Sequence, residues 1–323
     1  MRRLWVAAAA LLLTGCAGTV SGTASVSSQD LQQYQQNQQP LTSQHAFGDV
    51  TTIDYCSLLD LDRVETAGGV GLGDQHQGFN NCQVTGKVYG QDITVTVGYL
   101  SGQVSGPDRA TDPEKKLPRG LVAQRATSND NKGCTYYLNF ADSVSLTIYV
   151  DNVSSYPSTS AGQSLCAISG AVLDGVVAKV SANAVGHFKF APGSLGTVDA
   201  CSLLTEDDVN GQLGALSRTP SMPSKHRCRW KDTAGNQLDV VLDVGDGTGS
   251  TAEQIGGHAT DVSPIDEAGR ECMATGVVAP YPDDGADQFQ QAMIYVTVAD
   301  AAKDSCGVTR ALAGLAWPRL PAS

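Results

Sequence analysis

Tyr55-Cys56-Ser57-Leu58-Leu59 and Ala200-Cys201-Ser202-Leu203-Leu204 are nearly the same phrase, met twice in one chain. Each opens a series of four cysteines. Cys56, Cys82, Cys134 and Cys166 are separated by 26, 52 and 32 residues; Cys201, Cys228, Cys272 and Cys306 by 27, 44 and 34. Three matched intervals with matching local sequence make an internal duplication with a period of about 125–140 residues. Cys82-Gln83-Val84 is echoed by Cys228-Arg229-Trp230, and Cys166 and Cys306 each open an Ala/Val/Leu-rich stretch that reads as a closing helix. The first repeat is placed at 51–183 and the second at 196–320, with Ala182 to Gly196 joining them.

Within each repeat the elements follow one order. Thr205 to Asp208 ahead of Val209 and Leu213 reads as a capped helix start, with Asp60 to Val64 as its counterpart. Gly68-Gly69 and Gly214 end these helices. Alternating apolar residues then mark strands at Cys82 to Tyr89 and Ile93 to Tyr99, and at Arg227 to Lys231 and Leu238 to Val244. After a longer excursion a second strand pair follows: Cys134 to Phe140 with Ser145 to Val150, and Cys272 to Val278 with Ala292 to Val298. The expected fold is α+β: two tandem disulfide-stapled domains, each a four-stranded antiparallel sheet with helices on one face.

Aromatic residues make up only 6% of the chain and there are 35 glycines, so the cores must be thin and built from Ala, Val and Leu. Cores of that kind need staples. Eight cysteines in an exported chain read as disulfides. Four cysteines allow three connectivities per repeat, and the sequence leaves the choice open. The order of elements suggests neighbours: Cys56–Cys82, Cys134–Cys166, Cys201–Cys228 and Cys272–Cys306. Zinc is a poor fit, because no two cysteines stand at the close spacing of a zinc site.

The ninth cysteine has a different setting. Arg2 and Arg3 followed by the apolar run Leu4 to Leu13 form a signal peptide over 1–15, too short to span a bilayer. It ends in Leu13-Thr14-Gly15-Cys16, the pattern of a bacterial lipobox, which makes Cys16 the lipidated first residue of the mature chain. Residues 16–50 are Ser/Thr- and then Gln-rich and are read as a flexible tether. The expected location is the extracytoplasmic face of the cell membrane, with lipid on Cys16 as the membrane contact. A net charge of −12 disfavours nucleic acid and anionic lipid surfaces as partners.

This combination (lipobox, Val20-Ser21-Gly22-Thr23-Ala24, then Cys-Ser-Leu-Leu opening a small domain) resembles an actinobacterial cell-envelope lipoprotein family of unknown function. More distantly it resembles the extracellular sensor domain of the mycobacterial Ser/Thr kinase PknH. The resemblance implies a compact two-disulfide α+β domain at the cell surface; it implies no catalysis. The chain departs from the pattern in carrying two such domains, and in having Val84 where the second repeat has Trp230.

Catalytic signatures are missing. His45, His76, His187, His226 and His258 form no metal motif, and no serine stands in G-x-S-x-G. Ser57 and Ser202 read as helix-turn caps, and Gly69 to Asp74 as a flexible loop. Asp243 with Asp246, and Asp283-Asp284-Gly285 with Asp287, depart from the spaced calcium loop. No cofactor and no metal are expected. The expected function is therefore a non-catalytic, surface-anchored lipoprotein that binds an exported protein or a small envelope ligand through its tandem domains. The alternative is a small-molecule or lipid carrier with a pocket in or between the domains, and an envelope hydrolase is the weakest reading.

Overall fold

A computed structural model describes residues 39–102, 114–127, 132–154, 159–219, 222–247, 252–281 and 288–321. It is mostly β, and it corrects the expected four-stranded sheets. Each repeat builds a seven-stranded antiparallel sheet, and a two-stranded sheet pairs β1 (Ile53–Asp54) with β9 (Gly186–His187). The first large sheet contains β2 (Gln75–Gln77), β3 (Asn81–Val88), β4 (Gln91–Gly102), β5 (Lys115–Lys116), β6 (Val122–Thr127), β7 (Gly133–Asn139) and β8 (Val144–Asn152), in the order β2-β3-β4-β8-β7-β6-β5. The second contains β10 (Ser217–Arg218), β11 (Arg227–Lys231), β12 (Gln237–Asp246), β13 (Glu253–Ile255), β14 (His258–Pro264), β15 (Glu271–Pro280) and β16 (Gln288–Thr297), in the order β10-β11-β12-β16-β15-β14-β13.

The two orders are identical, and so is the register at the cysteines. Cys82 faces Val97 as Cys228 faces Val240, and Cys134 faces Val150 as Cys272 faces Val296. The four central strands of each sheet are the expected ones. The additional strands are short and polar (Gln75-His76-Gln77, Glu253-Gln254-Ile255) or lie in the excursions, where alternation is weak.

Disulfides join Cys56 to Cys82, Cys134 to Cys166, Cys201 to Cys228 and Cys272 to Cys306, with Cα–Cα distances of 5.0, 5.1, 4.9 and 5.2 Å. In each repeat the first bond fastens a short 3-10 turn to the second strand that follows it, across an intervening helix and a short strand. The second fastens a strand to the closing helix.

Five α-helices are described: α1 (Ser43–Phe47), α2 (Leu61–Thr66), α3 (Thr159–Ser181), α4 (Glu206–Leu213) and α5 (Ser305–Ala316). Thr205 caps α4 in a reciprocal capping box with Asp208, and Asp60 caps α2. On α3 the buried residues Leu165, Ile168, Val172, Leu173, Val176 and Val180 recur at helical spacing and lie on β7 and β8. The window Ser164–Ser181 is long and apolar enough to cross a membrane; in this fold its apolar stripe is part of the first core. In the second core α5 brings Leu312, Ala313 and Ala316, followed by Trp317, whose indole donates to Thr260 Oγ1 at 3.1 Å. A Cβ on Gly276 would stand 3.0 Å from that indole, so any larger residue there requires the ring to give way by a few tenths of an ångström.

The packed chain begins earlier than the expected tether end at residue 50. Leu41 and Phe47 are fully buried, Leu41 N–H donates to Arg119 O at 2.8 Å, and Phe47 meets Phe140 edge-on at 5.1 Å. Leu41, Ala46 and Phe47, the buried apolar residues of this stretch, are too few to show a period.

Both repeats belong to one compact unit, Pro40–Ser323. Phe79, three residues before Cys82, is buried in the core of the second repeat against Phe190, His226 and Tyr281, with ring centroids at 5.4, 5.3 and 6.2 Å. Its N–H donates to Asp243 Oδ1 at 2.7 Å. Beside it, Asn80 Nδ2 donates to Leu242 O at 3.0 Å and Ser224 Oγ to Asn80 Oδ1 at 3.1 Å. The joining segment takes part as well: Leu195 is fully buried and Phe190 lines this core.

Candidate functional site

Strand alternation decides what the second sheet shows on the face away from its core. Cys228 and Trp230 point inward with Leu238, Val240 and Leu242, so Arg227, Arg229, Gln237, Asp239, Val241 and Asp243 line the other face. On β16 the same rule puts Met293, Tyr295 and Thr297 there. All of these side chains except Arg229 floor a trough of about 350 Å³, walled by Glu271 and Ile265 and by Tyr99 from the first repeat.

Asp239 is the trough's electrostatic centre. Arg227 Nε and Arg229 Nε both donate to its Oδ1, at 2.9 and 2.7 Å, and Gln237 Nε2 donates to its Oδ2 at 2.7 Å. Its side chain is 3% exposed, whereas those of Arg227 and Arg229 are 29% and 38% exposed. Burial pushes the carboxyl's pKa up, and the bonds from Arg229 and Arg227 outweigh this and hold it below the usual carboxylate range. Arg227 spends Nε on the carboxylate and keeps its Nη donors for the trough, which it lines; Arg229 holds Asp239 from beside it.

Tyr99 arrives through a defect in the first sheet. The register of β4 against β8 shifts between Gly98 and Ser101, inserting one residue. Gly98 has φ of +151°, and a Cβ there would sit 2.3 Å from Asn80 O, so only glycine fits. Tyr99 follows at φ 52°, and bulges of this kind re-aim a side chain. Asn81 Nδ2 donates to the Tyr99 hydroxyl, and burial pushes that phenol's pKa up.

Asp243 joins the trough to the contact between the repeats. Its Oδ1 accepts from Phe79 N–H at 2.7 Å and Val244 N–H at 3.0 Å. Burial pushes its pKa up to about 6, against those N–H donors. A carboxyl raised above its unfolded value of about 4 keeps an extra proton in the folded chain. Its contribution to stability is full below that value and is lost as pH rises through about 6. His226, buried beside Phe79 with Nε2 donating to Gly196 O at 3.0 Å, is depressed by burial and acts the opposite way, losing stability as pH falls. Asp243→Asn keeps an acceptor for Phe79 N–H and removes the titration. Urea melts are expected to show a gain of roughly 1–3 kcal/mol at pH 7.5 and little change at pH 4. Equal effects at both pH values would remove Asp243 from this role.

A second cavity of about 230 Å³ lies beside the joining segment, lined by Phe188, Phe190, Ser194, Tyr281 and Gln290 among others. Gln290 Oε1 there accepts from Ser194 Oγ at 2.9 Å and Leu195 N–H at 2.8 Å.

The residues singled out in the sequence do not assemble into a reaction centre. Ser57 Oγ donates to Asp54 O at 2.6 Å and Ser202 Oγ to Asp199 O at 2.7 Å; the caps are Asp54 and Asp199, not the serines. His45, His76 and His187 are exposed, and His258 Nδ1 stands 3.2 Å from Val277 O. The glycine-rich loop runs along β3, with Val70 bridged to Lys87 and Gly73 N–H bonded to Thr85 O at 2.9 Å. Among the described residues no group of three His, Cys, Asp or Glu side chains could hold a metal. Cys16, the signal peptide and Asp283 to Asp287 lie outside the described residues. Comparison with protein-family models, with curated proteins and with solved structures found no match for the chain.

Proposed function

We propose that this chain is a non-catalytic binding lipoprotein of the actinobacterial cell envelope, anchored on the extracytoplasmic face through lipid on Cys16. Its ligand site is the trough on the second sheet. The lipobox pattern Leu13-Thr14-Gly15-Cys16 and the disulfide framework support the address. The observation that carries the binding reading is that the trough needs both repeats: Tyr99 comes from the first and the rest of the wall from the second. Ligand sites of this size commonly form where two folded units meet, with a few convergent polar groups in a partly apolar lining. The resemblance to the PknH sensor domain points the same way, toward recognition at the cell surface.

The test uses protein purified from the producing cell's envelope. Mass spectrometry of the N-terminal peptide is expected to find Cys16 as first residue carrying a diacylglyceryl group, and Cys16→Ala to move the protein out of the membrane fraction. Native mass spectrometry is expected to find a small molecule bound to the wild type and lost in Arg227→Ala. An unmodified Cys16 overturns the anchor; a wild type with no bound molecule at saturating envelope extract overturns the binding site.

A further inference from the structure

We infer that the trough binds one neutral, polyhydroxylated ring, a saccharide unit, and that only one such site exists per chain; this rests on the binding reading above. Charge argues for neutrality. The guanidiniums of Arg227 and Arg229 meet the carboxyls of Asp239, Glu271 and Asp243 in and beside one trough. An anion would face these carboxyls and a cation the Arg227 guanidinium, so the trough presents no field of one sign.

Hydrogen-bonding chemistry narrows the class further. Arg227 offers Nη donors in a fixed plane, Glu271 offers only acceptors, and Gln237, with Nε2 spent on Asp239, keeps its Oε1 acceptor. Neighbouring hydroxyls, each both donor and acceptor, satisfy planar donors and acceptors set side by side. The apolar edge of a sugar ring matches the remaining wall of Tyr295, Met293 and Ile265. A volume of about 350 Å³ sits at the small end of ligand pockets, enough for a ring rather than a chain.

The duplication supplies an internal comparison. The register at the cysteines makes Asn81, Gln83 and Thr96 the first-repeat counterparts of Arg227, Arg229 and Asp239, while Tyr149 matches Tyr295. The aromatic side chain is kept and the charged set is not. Thr96 is buried as Asp239 is, but it carries no charge, so no carboxylate stands at that position in the first repeat.

The experiment titrates the full mature chain, carrying Cys16→Ala for solubility, with D-galactose, D-mannose, D-arabinose and N-acetylglucosamine in turn. Inorganic phosphate, glutamate and putrescine serve as charged probes. The readout is the Met293 methyl resonance. At least one sugar is expected to shift it saturably with one site per chain. Arg227→Ala and Glu271→Gln should each weaken binding at least tenfold, and Gln83→Ala should leave it unchanged. A response to a charged probe and to none of the sugars overturns the ligand class and leaves the site standing. Silence from every probe overturns the class, and the native mass spectrum then decides the site. Two sugars bound per chain overturn the single-site inference.

Discussion

Phe79→Ala is expected to destabilise the chain by about 3–5 kcal/mol, the cost of emptying a fully buried aromatic position. Its location makes the effect more than local. By sequence Phe79 belongs to the first repeat, yet its ring is 2% exposed inside the core of the second. Removing it opens a cavity next to Phe190, His226 and Tyr281 and loosens the N–H bond to Asp243. Calorimetry should show the wild type melting in one transition and the variant in two, with the second repeat unfolding first. A single unshifted transition in Phe79→Ala would show that the repeats do not depend on this contact.

Reduction of all four disulfides is expected to unfold the chain outright at 37 °C. Loops of 26, 32, 27 and 34 residues each contribute about 3.5 kcal/mol by constraining the unfolded chain. Four such terms reach the whole stability of an ordinary domain, about 5–15 kcal/mol. Removing one bond, as in Cys272→Ser with Cys306→Ser, should lower the melting temperature without abolishing folding. Circular dichroism of the reduced, alkylated protein is the check. Retention of a cooperative melt near the native temperature would mean the apolar cores suffice by themselves.

Much of each repeat was legible because its period was strong. Ile93, Val95 and Val97, or Leu238, Val240 and Leu242, alternate cleanly and form central strands as read. The outer strands were not legible, because β2 and β13 are three residues long and mostly polar, and their pairing comes from the neighbouring strand. The length of the excursions was itself a signal, since structureless loops beyond about 12–15 residues are uncommon in compact domains. The trough was half legible. Arg227 and Arg229 flank Cys228, and Asp239 stands between two core residues, which places all three on one face. Tyr99 was not, because its position depends on a bulge at Gly98 and on how the two repeats meet.

Each disulfide closes between cysteines that are consecutive in the chain, and no two loops interleave. A chain emerging N-terminus first therefore presents Cys82, Cys166, Cys228 and Cys306 each to a single unpaired thiol of these eight, the correct one. Oxidation in the order of emergence yields the native set directly, so an oxidant alone can complete the framework without an isomerase to correct it.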